Sequence, residues 1–202
     1  VGKTMTVNDI VNQYYPEVFK IYEPADLVAF AKQVNDGDQF ACAVLDDDIA
    51  LSGNWTPIGH NDHSKHFRGI FNGQGHTISG VILKTGDYIG FFNSCYGATI
   101  KNLTVKNIAL SDETKKKQGY SIIGVAYGST LTNLKAEGTI TAYAKFGAIA
   151  TIADSTVFTA CTNAANVTNL LYDHLTQGGI SCCAYNATFD SCVNMGTLYA
   201  VA

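Results

Sequence analysis

An internal repeat in the second half of the chain constrains its fold more than any other feature. Four segments align when the positions of four anchor residues are superposed: Leu103, Leu134, Cys161 and Cys192, at intervals of 31, 27 and 31 residues. Three residues before each anchor stands another apolar side chain: Ile100, Leu131, Phe158 and Phe189. A unit of this length cannot bury its apolar face alone, so such units stack on one another in a solenoid.

Each repeat alternates apolar and polar residues over short stretches, which is typical of strands with one buried face. Thr is abundant at the positions expected to face outward: Thr99, Thr104, Thr132, Thr141 and Thr159. We therefore predict an all-β fold with one capping helix, namely a right-handed parallel β-helix of about five or six coils stacked about 4.8 Å apart. A β-sandwich or a β-propeller is the alternative, but both need hairpin turns such as Asn-Gly between strands, and the sequence has few.

Stacked repeats place matching positions one above the other inside the rod. Cys161 and Cys192 would then have Cα atoms about 4.8 Å apart, which is within disulfide range. Their Cβ vectors run nearly parallel, however, and a buried free cysteine packs as a small hydrophobic residue, so we favour a reduced pair over a disulfide. Asn163 and Asn194 also share one repeat position, and we predict that their amides hydrogen-bond along the stack.

An amphipathic helix is predicted ahead of the repeats. Pro24 suits its first position and Asp26 its first turn, whereas Gly37 ends it. Its apolar face consists of Leu27, Phe30, Ala31 and Val34. We interpret this helix as a cap on the open apolar end of the β-helix, rather than as a partner-binding surface. The predicted organisation is a lead-in segment, a capping helix and a β-helix truncated or continued at its C-terminus, at residues 1–22, 23–37 and 38–202.

The composition indicates a globular protein, since 47% of the residues are hydrophobic and only 15% are charged. The net charge is −4, and the one basic cluster, residues 115–117, lies beside two acidic residues, so we expect no nucleic-acid partner. No apolar run is long enough to cross a membrane, so we expect no membrane insertion. Residues 1–15 lack the layout of a signal peptide, and we expect that a signal has been removed from an exported protein.

Three runs of the sequence resemble the GLUG-repeat surface proteins of bacteria. They are DDDIALSGNWTPIG at residues 46–59, FRGIFNGQGHTISGVIL at 67–83 and IGFFNSCYGATIKNLTV at 89–105. The later segments CTNAANV and CVNMGTL are similar to a C-x-N-x-G strand of that family, although Ala165 stands where Gly is usual. The resemblance implies an adhesin-like β-helix that is secreted or attached to the cell surface. It implies no shared catalytic residues.

The histidines of residues 60–66 are the sharpest metal candidates. His60, His63 and His66 lie close together in sequence, and imidazole nitrogens ligate transition metals. A loop with this spacing imposes no geometry, and Lys65 repels a cation, so we predict a solvated loop and no metal. Three adjacent carboxylates at residues 46–48 carry a calcium-like charge. Successive residues of a strand point to opposite faces, so we predict solvated acids there instead.

Ligand contacts are expected on loops that interrupt the repeat, because loops on a rigid scaffold commonly carry binding sites. Two such excursions are predicted at residues 111–119 and 167–177. Aromatic and imidazole side chains in or near the second excursion are candidates for contact with a sugar ring: Tyr143, Tyr172, His174 and Tyr185. The alternative is that these side chains pack over neighbouring coils.

Polysaccharide lyases and glycoside hydrolases also use β-helices, but a fold alone does not imply an activity. Glycosidic hydrolysis usually needs two carboxylates about 5–9.5 Å apart, and the acids after Ile89 do not share repeat positions. We therefore expect a non-catalytic extracellular domain without a cofactor, which binds a host or environmental glycan or a protein surface. A structural spacer within a larger surface protein and a polysaccharide-degrading enzyme are the alternatives.

Overall fold

The structure is a computed structural model that describes residues 17–60, 62, 64–84, 89–110, 120–142, 145–169 and 177–200. The described chain is mostly β with one helix, and it forms a parallel β-solenoid of about five turns. The predicted stacked-coil architecture is therefore confirmed.

The helix α1 spans Pro24–Asn35. The strands are β1 Val18–Ile21, β2 Cys42–Leu45, β3 Ile49–Ala50, β4 Asn54–Trp55, β5 Ile70–Asn72, β6 Thr77–Leu83, β7 Ile89–Tyr96, β8 Thr99–Leu110, β9 Tyr120–Tyr127, β10 Thr130–Ala142, β11 Phe146–Gly147, β12 Ala150–Asp154, β13 Val157–Thr159, β14 Thr162–Asn169, β15 Gln177–Gly178, β16 Ser181–Tyr185, β17 Thr188–Asp190, β18 Val193–Asn194 and β19 Leu198–Ala200. Residues 167–169, predicted to open a loop, instead continue β14, because they pair with the ends of β10 and β19.

Parallel pairing between successive turns builds two sheets. The longer sheet follows the path β1-β2-β5-β8-β10-β13-β17, and β3, β4, β6, β14, β18 and β19 pair beside that path. The shorter sheet has the order β15-β11-β9-β12-β16, with β7 paired to β9. Two parallel strands cannot be joined by a tight hairpin. The chain that links one strand to its partner must therefore pass around the rest of the solenoid turn.

The repeat positions stack in register as predicted. One internal file consists of Ile100, Leu131, Phe158 and Phe189. The pairing of the strands places the anchor residues in a second file: Leu103, Leu134, Cys161 and Cys192. Apart from the members in the last described turn, these side chains are buried. The hydrophobic core therefore runs as columns along the solenoid axis.

Polar side chains also stack, and two ladders of asparagine amides result. Asn163 Nδ2 donates to Asn194 Oδ1 over 2.7 Å, which confirms the predicted ladder. A second ladder was not predicted: Asn102 Nδ2 donates to Asn72 Oδ1 and Asn133 Nδ2 donates to Asn102 Oδ1, each over 3.1 Å. Asn102 and Asn133 lie within β8 and β10 at residues of positive φ, +54° and +51°, and each amide satisfies the amide of the next layer.

No disulfide joins any of the six cysteines, all of which lie in the described residues, in agreement with a reduced pair at Cys161 and Cys192. The Cys161 thiol is fully buried and donates to the carbonyl oxygen of Leu131 over 3.4 Å. Burial raises the pKa of this thiol to about 12. Cys161 therefore contributes to the core as a small apolar side chain.

Helix α1 packs onto the first turns as predicted, with Leu27, Phe30, Ala31 and Val34 buried. The Phe30 ring lies 5.8 Å from the ring of Phe71 and 6.1 Å from that of Phe67. The end of the helix is also tied to the solenoid, because Asn35 Oδ1 accepts from the Gly59 N–H over 2.9 Å.

The parallel sheet begins earlier than the predicted boundary at residue 38. Strand β1, in the segment predicted as a lead-in, pairs with β2 from Val18–Cys42 to Ile21–Leu45. Helix α1 therefore connects the first two strands of the sheet and takes the place of the remaining part of that turn. The reason is that Ile21 joins the same buried file as Leu45, and this contact is long-range in sequence.

Candidate functional site

A row of three exposed tyrosines and one half-buried aspartate runs along the shorter sheet at the ends of its strands. Tyr96 of β7 pairs with Tyr127 of β9. Tyr127 pairs in turn with Asp154 of β12, and Asp154 pairs with Tyr185 of β16. The three tyrosines are 48%, 38% and 59% exposed in that order. Exposed aromatic side chains grouped on one outer face make this row the candidate site of the described residues.

The backbone turns sharply after each of these residues and thereby holds them outward. The next residue has a left-handed conformation in all four layers, with φ of +65° at Gly97, +53° at Gly128, +50° at Ser155 and +49° at Asn186. Glycine and asparagine adopt this region more easily than other residues. In the first three layers the preceding residue is buried in the core, as Cys95, Ala126 and Ala153 are, so the next side chain along the strand points outward.

Arg68 extends the row by one layer towards the N-terminus. Phe67 forms an isolated parallel bridge with Cys95, which places Arg68 beside Tyr96. The Arg68 guanidinium lies 4.6 Å from the centre of the Tyr96 ring and 5.9 Å from that of Phe40, in cation–π geometry. Its Nε is buried and has no hydrogen-bond partner within the described residues. We call the surface formed by Arg68, Tyr96, Tyr127, Asp154 and Tyr185 the tyrosine strip.

A buried Ser–His pair supports the strip from behind. His66 Nδ1 lies 2.7 Å from Ser94 Oγ, and both side chains are buried. The His66 ring stacks on Tyr96, with ring centres 6.0 Å apart and planes at 18°. Because neither the hydroxyl nor the imidazole faces solvent, this pair can hold the Tyr96 ring but cannot meet a substrate.

The structure brings one of the four predicted ligand residues into this surface. Tyr185 lies in the tyrosine strip, whereas Tyr143, Tyr172 and His174 lie outside the described residues. The other strip members were missed, although the repeat alignment contained the signal. Each of Tyr96, Tyr127, Asp154 and Tyr185 stands seven residues before an anchor, and each precedes a small or turn-forming residue.

The two described histidine candidates lie in different environments. His60 is exposed, and its Nδ1 accepts from the Asp62 N–H over 3.2 Å. His66 is buried against Ser94 and Tyr96, while His63 lies outside the described residues. In the part of the chain that is described, no three His, Cys, Asp or Glu side chains form a group that could hold a metal ion.

The acidic run at residues 46–48 is used for hydrogen bonds within the fold. Asp46 Oδ1 accepts from Gln74 Nε2 over 2.6 Å. Asp48 Oδ1 accepts from the Thr77 N–H over 2.8 Å and lies 3.1 Å from His76 Nδ1. These two contacts lower the pKa of the Asp48 carboxyl. The carboxylates therefore brace neighbouring turns instead of converging on one point.

Asp48 also borders an open groove of about 420 Å³ on the longer sheet, together with Lys106 and Glu137. The register places Ala50 beside Ser79, Ser79 beside Lys106 and Lys106 beside Glu137. The backbones at Asp48 and Glu137 are consequently three layers apart, about 14 Å at the usual strand spacing. Paired carboxylates for glycosidic hydrolysis stand closer, about 5–9.5 Å apart.

No family model, curated protein or solved structure matches this chain. The resemblance to GLUG-repeat proteins therefore stays a prediction. Helix α1 is too short and too polar to cross a membrane, and the described residues contain no helix that could do so. Tests of function must accordingly start from the geometry of the tyrosine strip.

Proposed function

We propose that this chain is a non-catalytic, adhesin-like domain that binds a glycan along the tyrosine strip. The observation that carries the proposal is the in-register stacking of Tyr96, Tyr127 and Tyr185 on an outer face, with all three rings exposed. Glycan is the ligand class of choice because sugar rings present C–H groups on their faces and hydroxyls on their edges.

The side chains of the strip can contact both the C–H faces and the hydroxyl edges of a sugar. An aromatic ring face carries a partial negative charge and attracts the C–H groups of a pyranose. Asp154 lies between two tyrosine layers, and its carboxylate can accept hydrogen bonds from sugar hydroxyls. Layers about 4.8 Å apart offer these groups repeatedly along one line, as an extended saccharide does.

The scaffold favours binding because it holds the strip rigid. Backbone pairing fixes each layer, and the Tyr96 ring is held further by Arg68 and His66. Tyr96 and Tyr127 are also in contact, with ring centres 6.2 Å apart. Side chains that are ordered before binding lose less conformational entropy when the ligand arrives.

Secretion and display on the bacterial cell surface belong to the same proposal. They rest on the resemblance to GLUG-repeat proteins and on the outward-facing binding surface. A glycan on a host or environmental surface is the partner that such a location would offer. The catalytic alternative has less support, because the Ser–His pair is buried and the backbones at Asp48 and Glu137 are three layers apart.

A glycan microarray probed with the purified 202-residue chain tests this proposal. We expect retention on a defined set of linear oligosaccharides. Tyr127→Ala should weaken binding about tenfold, which corresponds to about 1.4 kcal/mol for one lost aromatic platform. Tyr22→Ala is the matched control, because Tyr22 is 54% exposed but lies beside helix α1 and away from the strip.

Three results would contradict the proposal. Equal loss of binding in Tyr127→Ala and Tyr22→Ala would show that the strip is not the site. Release of unsaturated uronates or reducing ends from polysaccharides by the wild-type chain, measured by absorbance, would favour the enzyme alternative. Absence of glycan retention together with retention of a host protein would favour a protein ligand.

A further inference from the structure

We infer that the tyrosine strip selects glycans that carry a carboxylate, and that Arg68 binds this group. The inference rests on the proposed function, because it names the class of glycan that the strip would take. Arg68 is the only arginine of the chain, and it occupies the N-terminal end of a surface that otherwise consists of tyrosines and one aspartate.

The described surroundings of the Arg68 guanidinium are aromatic rings, and they leave its Nε–H without an acceptor. The rings of Phe40 and Tyr96 lie near its guanidinium, and they interact with the charge without accepting a hydrogen bond in the plane of the group. The buried Nε has no protein acceptor among the described residues. Because Arg68 as a whole is only half-buried, a ligand oxygen would approach its terminal Nη donors rather than the buried Nε.

The charge of Arg68 is also available. None of the ion pairs formed between described residues includes Arg68. The acid of the strip, Asp154, is three layers away, about 14 Å at the backbone. A planar guanidinium with free donors matches a carboxylate, to which it can form two parallel hydrogen bonds.

The order of groups along the strip sets the direction of the ligand. A carboxylate at Arg68 places its own sugar ring over Tyr96 and the following rings over Tyr127 and Tyr185. Asp154, between those last two layers, then requires a neutral sugar, because a second carboxylate there would meet a like charge. The preferred ligand is therefore a linear oligosaccharide with one acidic sugar at one end.

Matched pairs of oligosaccharides test this inference. The probes are gluco-, galacto- and xylo-oligosaccharides with a terminal glucuronic acid, each compared with the same oligosaccharide after carboxyl reduction. Calorimetry should show that wild type prefers the acidic member of at least one pair by about ten- to a hundredfold, as expected for hydrogen bonds to a charged group. Salt should weaken this preference.

Three variants assign the preference to Arg68. Arg68→Gln should bind both members of the pair equally, because the variant keeps no positive charge that distinguishes the carboxylate from the reduced group. Arg68→Lys should retain part of the preference, because it keeps the charge but loses the planar donor pair. Lys101→Gln removes a positive charge from the longer sheet and should leave the preference unchanged.

The outcomes separate the two proposals. Equal binding of both members by wild type, or a preference that survives in Arg68→Gln, would overturn the carboxylate inference and leave the glycan proposal standing. A stronger preference for a sulfated analogue than for the uronate would also overturn it. If wild type binds neither member of any pair, and the array shows no glycan retention, both proposals fail.

Discussion

Substitution of Leu131 by alanine tests whether the internal columns stabilise the solenoid. Leu131 is fully buried in the middle of its file, with Ile100 in the layer before it and Phe158 in the layer after it. Strands in these layers are held by parallel pairing, so the neighbours cannot close the space that a missing side chain leaves. The cavity should therefore persist in Leu131→Ala.

The expected loss of stability follows from burial and the cavity. Removal of a buried leucine side chain costs about 2.7–5 kcal/mol, with the larger values where the site cannot collapse. A central estimate of about 3 kcal/mol corresponds to a fall of about 6–12 °C in Tm for a chain of this size. Thr130→Ala is the control on the same strand, because Thr130 is exposed and its loss should change stability by at most about 0.5 kcal/mol.

Urea unfolding measured by circular dichroism and by Trp55 fluorescence gives the result. Trp55 is the only tryptophan and stacks on Phe91 near the N-terminal end, with ring centres 4.9 Å apart. If the turns unfold cooperatively, Leu131→Ala lowers the midpoint of both signals, because each repeat is stabilised through its neighbours. A Leu131→Ala midpoint equal to that of Thr130→Ala would refute the column argument.

Three further perturbations test other parts of the structure. Asn102→Ala should lose about 2–3 kcal/mol of unfolding free energy in urea, because it breaks two amide hydrogen bonds at a residue with φ of +54°. Iodoacetamide at about pH 8 should alkylate Cys161 at least about tenfold more slowly than the partly exposed Cys42, as followed by mass spectrometry. The Thr77 N–H and a neighbouring histidine ring lower the pKa of Asp48 below 3.8, so its carboxylate stabilises the fold above that pH. The difference in urea midpoint between wild type and Asp48→Asn should therefore vanish as the pH falls through the lowered pKa, and a constant difference would contradict this role.

The repeat was visible in the sequence because stacking imposes one chemical requirement on every layer. Each position in a file meets the same position of the next turn, so an apolar residue recurs at Ile100 and Leu131 and again in later turns. The same logic identified Asn163, since an amide in a buried file needs another amide above it. The helix was predictable for a local reason, namely apolar residues at helical spacing between Pro24 and Gly37.

The tyrosine strip was harder to predict, because an exposed position imposes no requirement on the residue in the next layer. Tyr185 was named for its aromatic ring, whereas Tyr96 and Tyr127 were missed, because their common face depends on the turns that follow them. His66 was considered as a ligand because its neighbours in sequence are histidines. Its actual partner is Ser94, which is 28 residues away and adjacent in the next layer.

The order of apolar and polar residues along this chain is sufficient to specify stacked strands, a capping helix and the files of its core, because those features repeat a local pattern. Which side chains meet across layers depends on the register of the turns, and the register is set by contacts between residues about 30 positions apart. Arg68 illustrates the difference. The sequence shows only that it is the single arginine of the chain, whereas the stacking of the turns places its guanidinium beside the rings of Tyr96 and Phe40.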